Sequence, residues 1–221
     1  MVRVRYSDDQ VNFFKFTDIV TNDIPKALRQ TFRLMWDRKY GPVQLWDDSE
    51  AARNWFAAIE LSGGKTKVPT HQSYEKWDCT ALFQATIFAQ SFAVLDSTGY
   101  YKTLSDLYVK PLGLPRGVFH SSVVSSGGDD NETVAIAIDQ LRLLRNSFSH
   151  PAKGEMSKRT FNQSLQLVKD AFKALGLKTD KIDAIGREVG FHTSEVADLK
   201  RKIQNRNMAI LGLGVGVGLL K

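Results

Sequence analysis

At 221 residues with 43% apolar side chains, the chain is long enough for one large domain, or one domain with an appendage, and too apolar for disorder as its main state. Thirty Lys and Arg against 24 Asp and Glu give a formal charge of +6, a tilt toward nucleic acid or anionic lipid that also suits an ordinary soluble protein. The single cysteine, Cys79, excludes an intrachain disulfide and a cysteine-based zinc site, and fits a reducing compartment.

The opening segment MVRVRYSDDQ has no apolar run of the kind a secretory leader needs, so a cytoplasmic location is expected. Residues 8–21 place Val11, Phe13, Phe14, Phe16 and Ile19 on a crowded helical face, although such aromatics also suit a strand. Asp23-Ile24-Pro25 reads as a cap followed by an early proline, and the helix it opens carries Leu28, Phe32 and Met35 until Gly41-Pro42 ends it. Asp47-Asp48-Ser49 caps a helix through Ala51, Trp55, Phe56 and Ile59, with Gly63-Gly64 as its stop and residues 63–76 as a loop.

Asp78 opens an apolar stretch over 79–95, whose residues cover most of a helix circumference and predict a central buried helix. A short helix is expected over 104–109, and the segment 121–130 reads as loop inside a long irregular connection. Residues 133–148 form the next helix, with Val134, Ile138, Leu141 and Phe148 in one row. Ser157 caps a helix with Phe161, Leu165, Val168, Phe172 and Leu175 spaced four, three, four, three, and Gly176 ends it. Two shorter helices are expected over 180–189 and 193–206. Strand ladders, internal repeats and Gly-rich phosphate loops find no support, so the fold class is all-α.

The residues that carry chemistry lie at 141–151, LRLLRNSFSHP. Arg145 occupies an otherwise apolar helical row, and a guanidinium there needs a partner or a cleft. One partner on offer is Asp78; a phosphate is the other recipient. His150 precedes Pro151, which pushes it out of the helical region and ends the helix at about Ser149. Five helical steps put Arg145 and His150 about 140° apart, so they converge only through a helix break or through two chains.

Arg145-Asn146-x-x-x-His150 resembles the R-x(4–6)-H motif of HEPN domains. Three more landmarks, in order, resemble the branch typified by the HEPN-like domain of the DAZ-interacting zinc-finger protein: Ala27-Leu28-Arg29-Gln30-Thr31-Phe32, the helix opening Trp77-Asp78-Cys79-Thr80-Ala81-Leu82-Phe83, and Phe161 with Ala174-Leu175-Gly176. The resemblance spans residues 10–176. It implies a helical bundle that dimerises with two Arg-His motifs facing one cleft, and a candidate metal-independent endoribonuclease without cofactor. His150 then acts as acid or base in attack of a ribose 2′-hydroxyl on the adjacent phosphate, Arg145 stabilises phosphate charge, and Asn146 orients the phosphate or the imidazole. A further acidic or basic catalytic partner is not identifiable. The same resemblance allows a second reading, a non-catalytic oligomerisation or interaction module of an immune-type signalling protein.

The expected organisation is a HEPN-like bundle over 8–176, accessory helices over 177–206, and an apolar Gly-rich tail over 207–221. Lys200, Arg201 and Lys202 are candidate RNA contacts or simply a solvated face. The tail stretch MAILGLGVGVGLL, residues 208–220, has no charge but is shorter than the roughly 20 residues of a membrane span. It reads as a linker or docked strand, or as a membrane or self-assembly contact, which makes a membrane-directed effector the third reading. His71, His120 and His192 stand in separate loop contexts without metal-ligand spacing, and the four tryptophans and Cys79 read as core.

Overall fold

The computed structural model describes residues 6–62, 67–148 and 154–187, and over them the protein is all-α apart from one two-residue hairpin. Helix α1 (Asp8–Asp18) starts with a reciprocal capping box, in which Gln10 N–H donates to Ser7 Oγ at 3.2 Å and Ser7 N–H to Gln10 Oε1 at 3.1 Å. Asp23 does not cap a new helix. Its backbone is helical and its side chain makes no capping bond, so α1 continues through a π-helical turn, Ile19–Asp23, into α2 (Ile24–Tyr40). Pro25 supplies the physical reason. It has no N–H for the carbonyl of Thr21, and in a regular α-helix its ring would press on that carbonyl; the wider π turn relieves both.

The turn also settles the phase of the core. Phe16, Val20, Ile24, Leu28, Phe32 and Trp36 are all buried and lie at uninterrupted four-residue spacing. Such a row drifts about 40° per step around a regular α-helix, about 200° over its five steps, and the one extra residue in the π turn takes up about 100° of that drift. The turn therefore halves the drift, and all six residues stay buried.

Around Phe32 the core is aromatic. Its ring lies 4.7 Å from Trp46, 5.5 Å from Trp77 and 5.6 Å from Phe56, centroid to centroid, mostly edge to face. Three of the four tryptophans are fully enclosed here, and Trp55 is half-buried against it. Helix α3 (Glu50–Ser62) begins where Ala52 N–H donates to Ser49 Oγ at 3.1 Å. Just before it, Asp48 adopts φ 57° and accepts from Tyr74 N–H at 2.9 Å and from the Ser73 hydroxyl, which ties the connection after α3 back to its start.

The apolar stretch over 79–95 is not one helix. Only α4 (Cys79–Ala85) is helical, capped by Asp78, whose carboxylate accepts from Ala81 N–H at 2.8 Å. The helix stops at Thr86 (φ −113°, ψ −92°), and a turn, a 3₁₀ segment (Gln90–Phe92) and a hairpin of β1 (Val94–Leu95) with β2 (Tyr101–Lys102) follow. Tertiary partners replace the helical hydrogen bonds. Glu60 of α3, itself buried, accepts from Gln90 N–H at 3.1 Å, Ser91 N–H at 2.8 Å and Ser91 Oγ–H at 2.6 Å, and Ser105 N–H donates to Ile87 O at 2.7 Å. A segment that is mostly buried, its few exposed positions scattered, has no continuous polar face to reveal its period.

Helix α5 (Asp130–Ser147) packs along α6 (Lys158–Ala174), and α6 in turn rests on α1. The α6 row of Phe161, Val168, Phe172 and Leu175 is buried as its spacing predicts. The helix closes with Gly176 at φ 69°, Gly176 N–H on Lys173 O at 3.0 Å and Leu177 N–H on Phe172 O at 2.8 Å. Helix α7 (Asp180–Arg187) folds onto α6 through Ile182, Ile185 and a Lys169–Asp183 ion pair of 2.7 Å. No helix among the described residues is long and apolar enough to cross a membrane.

Candidate nucleic-acid interface

Helix α5 is nucleated by Asp129, whose carboxylate accepts from Asn131 and Glu132 N–H at 2.8 and 3.2 Å and from the Tyr108 hydroxyl at 2.8 Å. Ala135, Ile138, Leu141 and Leu144 then face the core. Two polar side chains, Asp139 and Gln140, are also buried in the middle of this helix, 1% and 0% exposed. Both receive the incoming loop. Gln140 Oε1 accepts from His120 N–H at 2.9 Å, and the His120 ring Nε2 meets Asp139 Oδ2 at 2.8 Å. On the other carboxylate oxygen, Arg142 Nε donates to Asp139 Oδ1 at 2.6 Å.

Burial alone would raise the Asp139 carboxyl, but the hydrogen bonds from His120 and Arg142 outweigh it and hold it below the ordinary carboxylate value. An ionised carboxylate only accepts, so the proton between the two groups sits on His120 Nε2.

The loop that ends at His120 forms one wall of an open groove of about 910 Å³. Arg116, Gly117 and Phe119 come from that loop; Arg142, Leu143, Arg145, Asn146 and Phe148 come from the last turns of α5; Thr160 and Ser164 come from α6. Three guanidinium groups share this surface, and no carboxylate lines it among the described residues. Asp139 stands behind Arg142 and balances one of the three charges. Such a surface favours an anion that can take planar, forked hydrogen bonds, with hydroxyls of Thr160 and Ser164 and the rings of Phe119 and Phe148 beside it.

Arg145 lies in the groove half-exposed, so its place in the apolar row does not bury its charge. Its Nη1 donates to Asn146 Oδ1 at 3.0 Å, so the structure brings these two site residues together. The partner the sequence offered Arg145, Asp78, is the N-cap of α4. The helix ends at Ser147, with Phe148 as its C-cap, close to the break expected before Pro151. His150 lies outside the described residues, as do Lys200, Arg201 and Lys202 and the apolar tail.

The residues that sequence reasoning missed are Arg116, Arg142, Asp139 and His120. Part of that signal was readable: Asp139, Arg142 and Arg145 are spaced three and three, which aligns them along one ridge of α5. The pairing of Asp139 with His120, 19 residues apart, has no local signature. Among the described residues no group of three or more His, Cys, Asp or Glu side chains converges as a metal site would require.

Compared with family models, with curated proteins and with solved structures, the chain matches none.

Proposed function

We propose that this groove binds the phosphate backbone of RNA, with Arg145 as its anchor, in a HEPN-type domain that works as a homodimer and cleaves RNA without a metal. The observation that carries this reading is the meeting of Arg116, Arg142 and Arg145 in one groove free of lining carboxylates, at the helix end from which the chain runs on to His150. The order of landmarks along residues 10–176 adds support from the sequence.

In the proposed reaction the His150 imidazole accepts the proton of a ribose 2′-hydroxyl. The 2′-oxygen attacks the adjacent phosphorus, the bond to the 5′-oxygen breaks, and that oxygen takes a proton from water, to which the imidazolium returns the one it accepted. A 2′,3′-cyclic phosphate and a 5′-hydroxyl result. Arg145 would stabilise the charge that builds on the non-bridging oxygens, with Asn146 orienting the phosphate through the side chain it already shares with Arg145.

Purified protein incubated with RNA in EDTA tests this, with His150→Ala and Arg145→Ala alongside. Cleavage by the wild type that both substitutions abolish is the expected result. RNA bound but cleaved by no variant reduces the reading to a non-catalytic binding module. Equal cleavage by all three assigns the activity elsewhere.

A further inference from the structure

We infer that Arg142 is a second phosphate-binding residue of the groove, and that buried Asp139, held by His120, is the residue that positions it. The inference rests on the RNA-binding reading above but not on catalysis.

An arginine paired with a carboxylate for stability alone does best as a fork, two N–H groups on two oxygens. Here the pair is single. Arg142 gives only Nε, to Oδ1 at 2.6 Å, and the other oxygen, Oδ2, is taken by His120 Nε2 at 2.8 Å. Neither terminal amino group of Arg142 has a hydrogen-bond partner among the described residues, and the side chain is 30% exposed on the groove wall. Asp139 therefore fixes the guanidinium at its inner nitrogen and leaves its outer, forked edge to the groove.

The same carboxylate secures the opposite wall. His120 is 7% exposed and holds α5 twice, through its ring on Asp139 and its N–H on Gln140, so the loop carrying Arg116 is registered against the helix carrying Arg142 and Arg145. Arg142 and Arg145 lie one turn apart on neighbouring positions, about 5–6 Å between their Cβ atoms. Two guanidinium groups at that spacing suit a polyanion better than a single small anion. Fixing Arg142 before the ligand arrives removes its side-chain ordering from the cost of binding.

Binding of a short fluorescent oligouridine, followed by anisotropy over a series of salt concentrations, tests this. Arg142→Ala is expected to weaken binding about tenfold and to flatten the dependence of log affinity on log salt by about 0.7, the share of one phosphate contact in a single strand. Arg142→Lys keeps the charge and the slope but loses several-fold in affinity, because one ammonium cannot replace the fork. Asp139→Asn is expected to behave like Arg142→Lys, with weaker binding and an unchanged slope. Arg33→Ala, at an exposed residue of α2 outside the groove, leaves both readings as they were.

Binding that falls with Arg145→Ala while Arg142→Ala keeps full affinity and slope overturns the inference and leaves the RNA reading standing. Binding that falls with Arg142→Ala but not with Arg145→Ala supports the inference and removes the motif reading. A wild-type chain that binds no RNA overturns both. Arg142 is half-exposed, so its two variants decide the matter even where Asp139→Asn lowers stability.

Discussion

The ring of Phe148 packs, tilted by 50°, at 4.3 Å centroid to centroid against the ring of Phe16, which is fully buried in α1. Phe148 is the C-cap of α5 and also lines the groove, so this contact fixes the point from which the chain leaves toward His150. Phe148→Ala is expected to cost about 1–3 kcal/mol in urea denaturation, less than Phe16→Ala at about 3–5 kcal/mol, because Phe148 is only partly enclosed. Equal costs would show that the C-cap ring is as central as the α1 core.

Asp139 gives the fold a proton-linked contribution whose sign follows from its lowered value. A carboxylate held below its ordinary 3.8 stabilises the protein above that pH, and the contribution is lost as pH falls through the folded value. The groups facing it are His120 from the loop and Arg142 from its own helix. The urea midpoint of Asp139→Asn should therefore trail the wild type most well above the ordinary carboxylate value of 3.8 and approach it as the pH falls below that value. A deficit that stays constant across that range would mean the carboxylate's charge contributes nothing.

The two tryptophans at the heart of the aromatic core differ in one bond. Trp36 Nε1–H donates to Gln44 O at 3.1 Å, while Trp46 Nε1 is buried with no partner among the described residues. Trp36→Phe should therefore cost about 0.5–1.5 kcal/mol more than Trp46→Phe, the net worth of a typical hydrogen bond. Thermal or urea unfolding of the two variants measures the difference, and the reverse order would refute the argument.

Glu60 holds three donors of the segment that follows α4. Glu60→Ala leaves them buried without an acceptor and should cost about 2–4 kcal/mol, while Glu60→Gln keeps one acceptor oxygen and should cost about half as much. Hydrogen exchange at the Gln90 and Ser91 amides reads the same loss locally.

A dimer with two facing motifs predicts a twofold mass by light scattering at micromolar concentration. A monomer at every accessible concentration would remove the basis for a site shared between chains.

Legibility in the sequence followed how each residue is satisfied. The α6 row was plain because one face is buried and the other wet, so its four-three spacing survives in the residue types. The stretch over 79–95 was opaque because it is mostly enclosed and has no continuous polar face, and its break at Thr86 depends on Glu60 and Ser105, neither adjacent in the chain. Within the groove, Arg145 and Asn146 stood out as charge and amide in an apolar helix. His120 did not, because a histidine before two serines looks like any loop residue until Asp139 and Gln140 are brought opposite it.

The π turn at Ile19–Asp23 gives the rod one place where a residue can be lost without turning its core. Losing one residue there would let the rod wind as an ordinary helix with the residues on either side still in phase, because the turn holds the one residue that adds no net rotation. The cost of that deletion is set by Pro25, which would then sit inside a regular helix, at about 3 kcal/mol. Losing Gln30 from the regular part of α2 instead rotates everything beyond it by about 100° and turns Phe32 and Trp36 toward a flank. A single-codon deletion at Gln30 should therefore be more damaging than one in the π turn, and thermal unfolding of the two variants measures the difference.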